Sequence, residues 1–276
     1  MKKYDSFLLV AHRFVLSVLV AVLCLSASCN NGNVAAERDG ALPVDTSKIE
    51  IPAKINGRTE RLITHVGYTV SYNSVWKIPN WVAYELTAAE VAGDLPRKDK
   101  FVPDPQVPEN ETAYTEDYKG SGYDRGHMAP AADMKWSKQA MEESFYLSNI
   151  CPQNPNLNGG IWKSLEEQTR DLATQKGTIY VVCGPIVSGN YQTIGDGKVA
   201  VSAGFFKVLL QKNSSGWHAI AFKFDNVSGS RLLSTYALSV DELERLTGID
   251  FFPQLPDEVE NSVESEVDFF QWNVSK

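Results

Sequence analysis

An α+β fold is the architecture this chain predicts, on three observations. Short β-branched and aromatic runs recur along it, one stretch repeats apolar residues at helical spacing, and the two kinds alternate without strict strand–helix–strand order. With 276 residues, 43% hydrophobic and 22% charged, the chain is long enough for one core-bearing domain and short for two.

Taken in order, residues 66–72 and 81–86 have the composition that strands prefer. Residues 87–120 hold Pro, Asp, Glu and Lys with little periodicity, which predicts a long loop. A short helix is expected over 137–144 and a strand over 145–150. Ile161, Leu165, Thr169 and Leu172 share one helical face, so a helix is expected over 159–174. Residues 178–183 form a buried type of strand, ended by Gly184-Pro185. Two more strands, 199–211 and 217–225, flank the turn Asn213-Ser214-Ser215-Gly216. Ser239 and Glu242 make a capping box at the start of a further helix, and Gly248 ends it.

Both ends differ from this body. Lys2, Lys3 and Arg13 precede an apolar run over 14–25, and Leu25-Ser26-Ala27-Ser28-Cys29 follows, as an export signal requires. The run is too short to span a bilayer. It resembles a bacterial lipoprotein signal, which implies a lipid on Cys29 and a place in the cell envelope, periplasmic or at the surface. Ser26 stands where that pattern usually has Leu, so ordinary secretion with an incidental Cys29 stays open. The expected organisation is a signal over 1–29, a flexible tether over 30–50, a globular body over 51–255 and an acidic tail over 256–276, whose Phe269, Phe270 and Trp272 have the option of docking. The net charge of −8 runs against binding of polyanions by the chain as a whole. Six of the acids, however, lie in the last 21 residues with one Lys, leaving the body near neutral.

Asp124-Arg125-Gly126-His127 sets a carboxylate, a guanidinium and an imidazole around a glycine. Alone, such a tetrapeptide fits a solvated surface turn. A second segment alters the reading: Asn149, Pro152-Gln153, Asn158, Trp162 and Leu165-Glu166 follow within 40 residues of His127. Together the two segments resemble the DNA/RNA non-specific endonuclease family, with weaker likeness through Tyr72, Trp81-Val82-Ala83-Tyr84, Gly184-Pro185 and residues 246–252. The resemblance covers roughly residues 60–255.

The resemblance implies a ββα-metal (His-Me finger) nuclease fold, with a mixed, mainly antiparallel central sheet flanked by helices. It implies a metal-dependent endonuclease that hydrolyses phosphodiesters of DNA and RNA to 5′-phosphate ends. His127 matches the general base, and a neutral imidazole suits that task at neutral pH. Asn158 matches the protein ligand of Mg²⁺, with Mn²⁺ as a possible substitute; a hard ion that keeps its waters needs few protein oxygens. Asn158 also stands where a helix N-cap belongs. Arg125 matches a residue at the scissile phosphate, Glu166 a carboxylate that orients water beside the metal, and Asn149 a supporting amide of the catalytic set. Arg97 is a candidate second phosphate-binding arginine, on looser spacing. Asp124 is expected to be structural, bonding backbone or an arginine. The implied partners are nucleic-acid backbones without base specificity, the membrane through the lipid, and a second copy of the chain as a possible dimer.

Other classes find less support. Gly195-Asp196-Gly197-Lys198 lacks phosphate-loop spacing, no G-x-S-x-G elbow occurs, and no zinc spacing exists. His65 and His218 sit in strand-like apolar surroundings and are expected to be satisfied core or edge residues. Cys151 and Cys183 admit a disulfide or two buried thiols. The rival readings are a non-catalytic nucleic-acid-binding envelope lipoprotein on the same fold, and a cysteine hydrolase pairing one of these thiols with His127.

Overall fold

A computed structural model describes residues 48–229 and 232–272. The signal, the Cys29 anchor and nearly all of the expected tether lie outside the described residues. The body starts ahead of Ile51, because Ile49 is fully buried.

Eleven strands are described: β1 (Arg61–Thr64), β2 (Thr69–Asn73), β3 (Ile78–Leu86), β4 (Asp124–His127), β5 (Ile150–Gln153), β6 (Ile179–Ile186), β7 (Gln192–Ile194), β8 (Val199–Val201), β9 (Gly204–Asn213), β10 (Gly216–Asp225) and β11 (Ala237–Leu238). Helices α1 (Ala88–Val91) and α2 (Thr115–Tyr118) interrupt the stretch expected to be loop. They are followed by α3 (Lys138–Glu143), α4 (Pro155–Leu157), α5 (Lys163–Lys176), α6 (Val240–Thr247) and α7 (Asp257–Glu264).

Seven strands form one sheet in the order β1-β2-β3-β6-β9-β10-β11, every neighbouring pair antiparallel. Alternation along its strands makes two cores. Val82, Tyr84, Val181, Cys183, Phe205 and Leu209 face α5, packing with Trp162, Leu165 and Leu172. Trp81, Ala83, Val182, Phe206, Val208 and Leu210 face the other way, packing with Val240 and Leu243 of α6. The sheet is therefore the middle of three layers. β4 and β5 form a separate hairpin on the α5 side, joined to that core through Met128, Ile150 and Cys151.

Four expectations need correction, the first being the strand read over 199–211, which divides into β8, paired with β7 in a small sheet of its own, and β9 of the main sheet. The strand read over 145–150 is a 3-10 turn at Leu147–Asn149, and the strand itself is β5, three residues later. The helix expected from 159 begins at Lys163, because Asn158–Trp162 is an irregular wide turn in which Gly160 is not helical. Two consecutive glycines lower helix propensity there by about 2 kcal/mol. Residues 256–272 are packed rather than trailing: α7 lies against α6 and β10, its Val259 and Val263 on the α6-side core. Beyond it, Val267, Phe269 and Trp272 join the opposite core. The capping box of Ser239 and Glu242 and the left-handed Gly248 (φ 68°) form as expected.

Candidate active site

The Asp-Arg-Gly-His tetrapeptide is strand β4, held by antiparallel pairing with β5, so that Arg125 faces Pro152 and His127 faces Ile150. Glycine is required between them. A Cβ on Gly126 would come within 2.6 Å of the Gln153 Cβ and 2.2 Å of its Oε1.

Asn149 closes the long connection between these strands. Its Oδ1 accepts from Ala129 N at 2.8 Å, and its Nδ2 donates to the carbonyls of Ala129 and Ser144, each at 2.8 Å. Both ends of a fully buried amide are thus used on backbone. Asn149 is a clamp behind the hairpin, all three of its side-chain bonds going to backbone.

His127 projects into an aromatic slot. Its ring centroid lies 5.3 Å from Phe101 and 5.0 Å from Phe145, edge-on to the latter. The guanidinium of Arg125 sits 4.5 Å over Phe101 and that of Arg97 5.2 Å over Phe145, while Arg97 Nε donates to Asp99 at 2.5 Å. The two aromatic rings therefore gather both predicted arginines around the imidazole. His127 is 8% exposed and its Nε2 has no hydrogen-bond partner among the described residues. Burial, together with Arg97 and Arg125 and against Asp99, takes the imidazole down to about 3. It is a neutral ring with an available nitrogen throughout the neutral range.

Three residues beyond Phe101 lies a buried polar knot. Asp104 accepts from His65 Nε2 at 2.9 Å, Ser148 Oγ at 2.6 Å and Gln106 N at 2.8 Å. Burial raises this carboxyl, but those donors together bring it below the usual carboxylate range. His65 is thus a satisfied core histidine, as expected. His218 pairs with Ser215 Oγ at 2.9 Å on the surface.

Asn158 Nδ2 donates to Asp124 Oδ2 at 3.0 Å. Among the described residues, the Asp124 side chain thus takes Asn158 as its partner rather than the backbone or arginine expected for it. A carboxylate only accepts, so the amide nitrogen faces it and Oδ1 is left to face away. That leaves one hard oxygen on a side chain tied to the strand of His127, a donor suited to Mg²⁺ or Mn²⁺. The capping role falls to Asn154 instead, whose Oδ1 accepts from the amides of Asn156 and Leu157 at the start of α4.

Glu166 lies in the first turn of α5, above a buried charge cluster. Arg170 Nη1 pairs with Asp133 Oδ1 at 2.7 Å, and Tyr84 donates to Asp133 Oδ2 at 2.9 Å. Lys207, fully buried, holds its Nζ 4.7 Å from the Trp162 ring without a hydrogen-bond acceptor. Burial pushes Glu166 up to about 7, opposed by Lys207 and Arg170 and reinforced by Asp133. Lys207 was not anticipated, although a lysine inside Phe205-Phe206-Lys207-Val208-Leu209-Leu210 is a charge in an otherwise apolar strand. Phe101 and Phe145 carried no comparable signal.

Cys151 and Cys183 are free, buried thiols. Cys183 Sγ donates to Met128 O at 3.1 Å, and burial pushes its thiol up to about 12 and that of Cys151 well up. Neither supplies a thiolate at neutral pH, which removes the cysteine-hydrolase reading.

A sheet carrying a hairpin and helix, with His127 on one and Glu166 on the other, defines a class of protein. The chain belongs to the DNA/RNA non-specific endonuclease family, whose profile matches residues 46–258. Among its relatives, the mitochondrial nuclease EXOG of Danio rerio is 40% identical over 216 residues, 72% of this chain and 62% of that protein. A nuclease of a Nostoc species is 36% identical over 73% of this chain and 76% of its own length. Human mitochondrial endonuclease G is 34% identical over 71% and 70%. The chain spans less than two thirds of the EXOG nucleases it matches. A solved EndoG/EndoGI complex superposes with a TM-score of 0.68 at 30% identity, covering 72% of this chain and 89% of that one. The ββα-metal nuclease fold is the one present.

Proposed function

We propose that this chain is a Mg²⁺-dependent endonuclease that hydrolyses DNA and RNA phosphodiesters and leaves 5′-phosphate ends. The observation that supports it most is the pairing within β4: Asp124 orients Asn158, and three residues on, His127 keeps an unpartnered nitrogen beneath two arginines.

In this reading Arg125 and Arg97 draw a phosphate to the slot and hydrogen-bond its non-bridging oxygens. Their aromatic supports fix the guanidinium planes before substrate arrives. His127 Nε2 accepts the proton of the attacking water, which its neutral state permits. Asn158 Oδ1 would hold the ion, which when bound supplies positive charge for the phosphate and for the departing 3′-oxygen. Glu166, as carboxylate, orients water near that position. A hollow beside Arg125, lined by Lys119, Tyr118 and Tyr123, offers room for the neighbouring strand. Every contact in this scheme is to phosphate, so no base preference arises. The signal over 1–29 and a lipid on Cys29 would place the activity in the cell envelope.

Plasmid and RNA digestion with Mg²⁺, with chelator, and with His127→Ala tests the reading. The variant and the chelated protein should both lose activity, the variant by about 10²–10⁴-fold, and product ends should ligate without a kinase. Undiminished cutting by His127→Ala removes the proposal, and binding without cutting by the native protein supports the non-catalytic alternative.

A further inference from the structure

Away from the candidate active site, three carboxylates converge where α7 meets α6. Asp241 and Glu244 of α6 and Glu264 of α7 each place one oxygen within 4.8 Å of the other two. Like charges at such separations repel, yet this is the junction through which the acidic C-terminal segment docks. No salt bridge reaches any of the three among the described residues. Asp250 and Glu260 add to the negative potential at Glu264.

Glu264 supplies the independent observation. It is 4% exposed, and its Oε1 is buried without any hydrogen-bond donor. A buried carboxylate oxygen with no donor is costly, by several times the worth of an ordinary hydrogen bond. Glu244 is half-satisfied: its Oε1 accepts from Phe251 N at 2.7 Å.

We propose that Asp241, Glu244 and Glu264 bind a divalent cation of the Ca²⁺ class, which joins α7 to α6. Oxygens around one Ca²⁺ at about 2.3–2.6 Å lie up to about 5 Å apart, which the cluster meets. An all-oxygen set with no His or Cys disfavours zinc and copper. Ca²⁺, which accepts flexible carboxylate geometry, fits such a set better than Mg²⁺, which demands a near-ideal octahedron. The site lies on the sheet face opposite α5, so it is separate from Asn158 and does not rest on the nuclease reading.

The test uses the full chain carrying Asn158→Ala, stripped of metal, so that binding at the candidate active site does not contribute. Calorimetric titration with CaCl₂ should show one site, and Tm should rise by about 5 °C or more at a hundredfold excess over Kd. Adding Glu264→Gln or, at the more exposed position, Asp241→Asn should abolish or sharply weaken both responses. Glu264→Gln should also melt no lower than its parent without metal, because burial and the neighbouring carboxyls push Glu264 up to about 9 and Gln replaces a neutral acid of the same shape. Absence of heat and of any Tm change with Ca²⁺, or an equal response in both variants, overturns the site.

Discussion

His127, buried, and Glu166, half-buried, are two titratable groups displaced in opposite directions, and the displacement assigns them different pH limits. The imidazole, down at about 3, is neutral at any pH where the protein is expected to work. The carboxyl, up at about 7, loses its charge as pH falls through that value. If Glu166 acts as a carboxylate, the acidic limb of the pH–rate profile belongs to it and not to the histidine. Lys207 opposes that rise, so Lys207→Met should move the limb to higher pH, cutting the rate at pH 6 by about tenfold while sparing it at pH 9. An equal loss at both pH values would point to a damaged fold instead. His127 carries a stability consequence as well. Its folded pKa lies below the unfolded value, so the unfolded chain takes up the proton first, and stability falls as pH drops from about 6.5 toward 3. The candidate residues His127, Arg125, Asn158 and Glu166 could be singled out because each stands at a fixed place in one of two short segments. Lys207, Phe101 and Phe145 could not, because they reach the site from distant segments through packing alone.

Among the elements, the β4–β5 hairpin is concealed in the sequence, as are α1, α2 and α7. Asp-Arg-Gly-His has neither β-branched residues nor alternation, and its extended state comes from pairing with β5. The sheet strands β6, β9 and β10 were legible, since each buries enough apolar side chains to mark itself. Helix α6 was legible through its caps, which are local chemistry. The hairpin instead depends on Asn149, and its dependence is measurable. Asn149→Ala deletes three hydrogen bonds and strands buried backbone groups, which should cost about 3 kcal/mol or more. Urea midpoints would report that loss. Nicking should fall along with it, since the peptide next to Met128 sets where His127 points. Asn149→Asp should be no better, as a carboxylate would face two carbonyl oxygens.

For the molecule entire, the segment read as an acidic tail is the largest revision. Charge argued for a solvated end, but two apolar surfaces on opposite sides of the sheet decide the matter. Val259 and Val263 pack on one, and Val267, Phe269 and Trp272 on the other. Gln168 Nε2 of α5 donates to Trp272 O at 2.9 Å, Asn213 Nδ2 to Gln271 Oε1 at 3.2 Å, and Lys176 Nζ to Gln271 O. Trp272→Ala removes a side chain that is 1% exposed and should cost about 3–5 kcal/mol, seen as a lowered Tm in calorimetry.

A strip of chain gripping both layers also couples their fates on heating. Neither layer is free to loosen while the other stays shut, so fluorescence from Trp162 and from Trp81 should change over one shared temperature interval, with a single heat-absorption peak. Loosening the grip at Trp272 should pull those two signals apart.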